Sequence, residues 1–254
     1  MQEENKGDSV EGIKYGALKE AMKKIKADYK VQESGDIDAS KHQHRSIKEI
    51  KEELKDVNVK VESDHQAMSR LTTQFHETQS DSEKTVILES LEFYAHHYDA
   101  AVDWLQLGGL EGVVLPSLNS TAAGVRQAAA LLLGAAVQSN PAVQQAALQA
   151  GLHSTLLRLA ALDPEPGVAA RALFALSATL RNFPAAQESL ARQGGLSVLV
   201  RTLARQNGRQ QHRLRLKILT LISDLLTEQQ QGQNQLLPGL VQQAGGRPVV
   251  WTLL

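Results

Sequence analysis

Asn140-Pro141-Ala-Val-Gln-Gln-Ala-Ala-Leu-Gln-Ala-Gly151-Leu152 and Phe183-Pro184-Ala-Ala-Gln-Glu-Ser-Leu-Ala-Arg-Gln-Gly-Gly195-Leu196 are two versions of one pattern. In each, a helix-like run ends at a proline and the next helix opens at Gly-Leu. The prolines stand 43 residues apart and the glycines 44. Self-similarity at that period means stacked helical repeats, each unable to bury its own apolar face without a neighbour. Such folds offer a surface more readily than a pocket, so the first expectation is a protein that grips another protein.

Working outward, the same short, medium and long helices are expected three times: 99–107, 109–118 and 122–139; 141–150, 151–162 and 167–182; 184–193, 195–206 and 211–228. Pro141 and Pro184 sit where a first helical turn needs no N–H donor, and Gly108-Gly109 and Gly194-Gly195 supply the chain reversals. The third helices are rich in small residues, as in Ala128-Ala129-Ala130 and Ala135-Ala136, which let helices approach closely. Upstream, Met68, Leu71 and Phe75 mark a further helix, and Asp81-Ser82-Glu83 opens another through Leu88 and Tyr94 with an acidic first turn suited to the positive helix end. Three short helices per unit of forty-odd residues is the armadillo arrangement. The fold class is therefore all-α, an armadillo-like superhelical repeat or α-solenoid.

The first third differs. Residues 1–84 carry 15 Lys and Arg and 18 Asp and Glu, against 12 and 10 in the twice longer remainder. Residues 1–45 are expected to be a charged, largely disordered arm around one marginal helix at Ala17–Ile25, and residues 46–254 the repeat domain. Ile47, Ile50, Leu54, Val57 and Val61 recur at three- and four-residue steps, a narrow apolar stripe on a charged helix expected to lie against the repeats.

Several classes are excluded. The net charge of −1 argues against a general electrostatic hold on nucleic acid or membrane. With no cysteine, disulfides, thiolate metal sites and cysteine nucleophiles are out. No apolar run is long enough to span a bilayer, and Met1-Gln-Glu-Glu-Asn-Lys has no apolar core of a signal peptide. His96-His97 and His42-x-His44 lack a third ligand at helical spacing, so no metal is expected. Gly108-Gly109 and Gly194-Gly195 lack the Lys-Ser/Thr of a phosphate loop, and no nucleophile elbow is present, so neither a bound cofactor nor catalysis is expected.

Leu91-Glu-Phe-Tyr-Ala-His-His-Tyr-Asp-Ala-Ala101, Leu107-Gly-Gly-Leu110, Leu118-Asn-Ser-Thr121, Leu133-Gly-Ala-Ala136 with Ser139-Asn-Pro141, and Leu173-Phe-Ala-Leu176 together resemble the Sil family; Gly194-Gly195-Leu196 and Leu236-Leu-Pro-Gly-Leu240 fit as well. The likeness runs from about Ile47 to Leu240. Members of that family are nucleotide exchange factors for BiP, the heat-shock ATPase chaperone of the endoplasmic reticulum. The resemblance implies an exchange factor and co-chaperone, not an enzyme, that binds the ATPase domain of BiP, promotes ADP release and supports folding and translocation in the ER lumen, as a monomer. Family members begin with a signal peptide and usually finish with a further repeat and a retention tail. This chain starts at Met1, and its Arg247-Pro248-Val249-Val250 departs from the family's continuation, so a fragment or splice product truncated at the C-terminus is expected.

Aligning the long helices puts Leu88, Leu131, Phe174 and Thr220 on one rung of the concave face, with Glu92, Ala135, Ala178 and Asp224 one turn later. Gln127, Gln138, Arg171, Arg181 and Lys217 lie on or beside that face. An aromatic set among Arg and Gln resembles an interface centre, although Phe174 can equally be read as core. Arg192, Arg201, Arg205, Arg209, Arg213, Arg215 and Lys217 form a run without acids, either a solvated face or a basic end that meets an acidic partner. Interleaved aromatics are missing, which disfavours nucleic acid. Asn119-Ser120-Thr121 is an N-glycosylation sequon on a loop. It favours the ER over a cytosolic exchange factor of the same fold; the second alternative, a generic armadillo scaffold that holds an extended peptide, would carry groove asparagines where Glu92, Ala135, Ala178 and Asp224 stand.

Overall fold

The computed structural model describes Ser46, Lys48 and residues 62–205 and 212–231. The chain divides into two compact units, Met1–Ser63 and Asp64–Leu254. The expected helices at Ala17–Ile25 and over Ile47–Val61, Arg209, and the strings at Leu236–Leu240 and Arg247–Val250 lie outside the described residues.

The second unit opens with α1 (Asp64–Glu77) and α2 (Asp81–Ala95). The first repeat holds α3 (Tyr98–Gln106), a π-helical turn (Gly109–Val114) running into α4 (Leu115–Leu118), and α5 (Ala123–Val137). The second holds α6 (Pro141–Gln149), α7 (Leu152–Leu162) and α8 (Pro166–Leu180), and the third α9 (Pro184–Arg192), α10 (Gly195–Arg205) and α11 (His212–Gln231). Among the described residues there is no strand, and no helix is long and apolar enough to cross a membrane. The α-solenoid expected from the sequence is the fold.

Local chemistry sets the boundaries. Ser80 caps α2 by accepting from the Glu83 amide, and Asn140 caps α6 by accepting from Val143 N at 3.4 Å while Pro141 takes the first helical position. The repeat register is tighter than the Gly-Leu pairing suggests. Gly108, Gly151 and Gly194 all adopt left-handed backbone, φ 72, 67 and 69°, and stand 43 residues apart, so Gly194 rather than Gly195 is the counterpart of Gly151. Ser139 and Asn182, at the same spacing, turn the chain after α5 and α8 with φ 55 and 54°.

The long helices α2, α5, α8 and α11 stack in order, each against the one before, and α7 closes onto α8 from the other side. The seam is dry and small-grained: Ala129, Ala130, Leu132, Leu133, Ala136, Ala172, Leu173, Ala175 and Leu176 are essentially inaccessible. Each enclosed leucine stabilises the stack by roughly 1.5–3 kcal/mol. Trp104 is the largest enclosed side chain; its Nε1 donates to Thr72 Oγ1 at 2.9 Å, satisfying the indole inside the core.

Candidate functional site

The rung expected to project into the groove does so unevenly. Leu88 is a correction: it is fully buried, because α2 is covered by α1 on one flank and α5 on the other. It belongs to the core and not to a binding face. Further along, Leu131 and Phe174 are half-buried and Thr220 is exposed. Exposure therefore grows towards the C-terminal repeats.

Phe174 divides its ring between core and surface. It lies over Gly134 of α5, where an added methyl would collide with the ring, so the one glycine within that helix is there to admit this aromatic. Phe174 also lines a cleft of about 320 Å³, together with Gln138, Ser139, Pro141, Gln144, Arg181 and Asn182. Three expected groove residues, Gln138, Phe174 and Arg181, thus meet at one place. Arg171, Lys217 and Gln127 are exposed but do not line the cleft. Glu92, half-buried, accepts at 2.9 Å from His96, which caps the end of its helix. His97 bonds Asp64 Oδ2 at 2.6 Å.

Arg181 Nη2 reaches Asp224 Oδ2 at 3.0 Å, with both side chains more than a third exposed. An open, single-point pair of this kind contributes at most about 1 kcal/mol. Arg192 pairs with Glu188 at 3.3 Å. Arg201, Arg205, Arg213 and Lys217 are exposed.

Other interactions had no single-residue signal in the sequence. Arg126 donates from Nε and Nη2 to both oxygens of Asp163, at 2.8 and 2.9 Å, and from Nη1 to the Ser120 and Thr121 carbonyls. Both side chains are mostly enclosed, 12% and 3% exposed. Hydrogen bonding to Asp163 holds the Arg126 guanidinium above its ordinary range. Burial pushes the Asp163 carboxyl up, but the Arg126 and Glu165 amide hydrogen bonds outweigh this and leave it below the usual carboxylate range. This clamp ties the sequon loop to the loop before α8. Asn119 itself is exposed, donates to Leu115 O at 3.0 Å and accepts from Arg158 at 2.8 Å.

Gln144 and Gln187, 43 residues apart, stitch repeats together: Gln144 Nε2 donates to the Ala178 and Arg181 carbonyls, and Gln187 Nε2 to Leu180 O and Glu228. Their shared position after the two prolines was a signal available in the sequence. His153 is buried, with Nε2 3.0 Å from both Ser189 Oγ and Gln193 Nε2 and no partner for Nδ1. Burial lowers its pKa below the ordinary 6.5.

The class these features define is an α-solenoid of three-helix repeats with a polar-rimmed aromatic on its exposed long-helix face. The sequence matches the SIL1/FES1/HPBP1 C-terminal domain over residues 100–243, more than half of its length, and the chain belongs to that family. Nucleotide exchange factor SIL1 of Rattus norvegicus is 38% identical over 250 residues, covering 89% of this chain and 53% of the rat protein. The Xenopus laevis protein of that name is 34% identical over 215 residues, 83% of this chain and 46% of the relative. Hsp70-binding protein 1 of Homo sapiens is 34% identical over 162 residues, 63% and 44% respectively. The chain spans about half the length of the curated relatives it matches.

Proposed function

We propose that this chain acts as an adenyl-nucleotide exchange factor for an Hsp70-type chaperone, and for BiP in the lumen of the endoplasmic reticulum in particular. What carries the reading is the family membership over residues 100–243 together with an exposed long-helix face centred on Phe174. In this reading a single copy of the solenoid clasps the outer lobe of the ATPase domain, holds it rotated, and so opens the cleft that retains ADP. The factor performs no covalent chemistry and needs no cofactor. Its whole effect is differential affinity: it binds the open lobe arrangement better than the closed one and shifts the population accordingly.

Reciprocity is the consequence to test. If the factor loosens ADP, ADP must loosen the factor by the same ratio. Calorimetric titration of the BiP ATPase domain should give clearly weaker binding with saturating ADP than without. Equal affinity in both conditions would contradict the mechanism. The likeness to Hsp70-binding protein 1 supports an Hsp70-type partner in general, and the Asn119-Ser120-Thr121 sequon speaks for the ER over a cytosolic exchange factor of the same fold. Directed into the ER, the chain should gain an endoglycosidase-sensitive mass that Asn119→Gln abolishes.

A further inference from the structure

Asn182 and Gln187 already hold a carboxylate. The Asn182 backbone N–H donates to Glu228 Oε2 at 2.9 Å and Gln187 Nε2 to the same oxygen at 2.7 Å. Glu228 can reach them because α11 runs on to Gln231. Ser139 and Gln144 occupy the same two places one repeat earlier, and Ser139 has the same left-handed backbone as Asn182. Among the described residues no carboxylate meets them, since α8, the helix that would supply it, stops at Leu180. Gln144 turns its amide to the Ala178 and Arg181 carbonyls instead. The vacated space is the cleft of about 320 Å³ with Arg181 in its wall.

We propose that an Asp or Glu side chain of the chaperone's ATPase domain enters this cleft and pairs with Arg181, taking the part in the second repeat that Glu228 plays in the third. The inference rests on the exchange-factor reading and names the chemistry of its contact. Charge supports it independently. Residues 64–163 contain ten Asp and Glu and four Lys and Arg, whereas residues 164–228 contain four and nine. The exposed cations Arg171, Arg201, Arg205, Arg213 and Lys217 belong to that basic half, whose field draws an acidic surface towards it. Asp224 and Glu228, the acids that adjoin Arg181 and Asn182, oppose a third carboxylate, so the incoming group displaces Asp224 from Arg181. That exchange costs little, because the existing pair is open to solvent.

The displacement gives the two members of one salt bridge opposite roles. Binding of the BiP ATPase domain is measured for wild type, Arg181→Gln, Arg181→Lys and Asp224→Asn, with a thermal melt of each. Arg181→Gln should raise Kd about tenfold, and Arg181→Lys should recover part of the loss. Asp224→Asn should lower Kd about threefold by freeing the guanidinium. All should melt close to wild type, both side chains being exposed. Equal weakening by Arg181→Gln and Asp224→Asn, or no change in either, overturns the acidic contact while leaving the exchange-factor reading intact. Failure of the wild-type chain to bind overturns that reading and this inference together.

Discussion

Phe174 is the residue at which the core meets the cleft. Its ring packs on Gly134 and it also lines the cleft, so the core reading of the sequence is not adequate alone. Phe174→Ala should cost about 2 kcal/mol of stability, short of the roughly 3–5 kcal/mol typical of a fully enclosed phenylalanine, and at least about 2 kcal/mol of chaperone binding. Melting and calorimetry on the same variant separate the two effects; unchanged affinity in a folded variant removes Phe174 from the interface. His153 gives a pH dependence. Its pKa is depressed in the folded state by burial, so the unfolded chain binds the proton more readily. The stability that its neutral form contributes is complete above the ordinary 6.5 and is lost as pH falls through that value. Melting temperature should drop between about pH 7 and pH 5, and less steeply in His153→Gln; identical profiles would show that His153 is not responsible. Residue types at the groove were legible in the sequence, but Leu88 was not, because a rung alignment cannot see that α1 and α5 cover the first long helix.

At the scale of the element, the helix boundaries followed from prolines, glycines and caps, and the expected nine repeat helices stand within about two residues of their places at most ends. What the pattern could not supply was the pairing between helices 40 residues apart. Gly134 is the clearest case. Alanine at a mid-helix glycine ordinarily stabilises by about 1 kcal/mol, yet here its methyl would strike the Phe174 ring. Gly134→Ala should therefore destabilise the otherwise unaltered protein by about 1–3 kcal/mol and become stabilising in a Phe174→Ala background, a sign reversal that a double-mutant cycle reads directly. A stabilising Gly134→Ala in the unaltered chain would show that the ring yields freely. The Arg126–Asp163 clamp was similarly invisible: both residues are ordinary in the sequence, and only the stacking of the repeats brings the start of α5 to the loop before α8.

For the molecule as a whole, the repeat register, the charge asymmetry and family membership all support the proposed reading, a solenoid that works by holding a partner in one conformation. The Ala-rich seam between long helices is closely packed, which suits the proposed role of a stiff part that changes its partner's shape rather than its own. α8 carries Phe174 and leads into Arg181, and both line the cleft, so in the proposed reading one element supplies both contacts. The most direct test is stopped-flow release of fluorescently labelled ADP from BiP, with excess unlabelled nucleotide and increasing amounts of this chain. The expected result is a release rate that rises with the chain's concentration to a plateau well above the spontaneous rate, while the chain alone neither binds nor hydrolyses the nucleotide. Release that stays at the spontaneous rate when the chain is in saturating excess would contradict the exchange-factor reading.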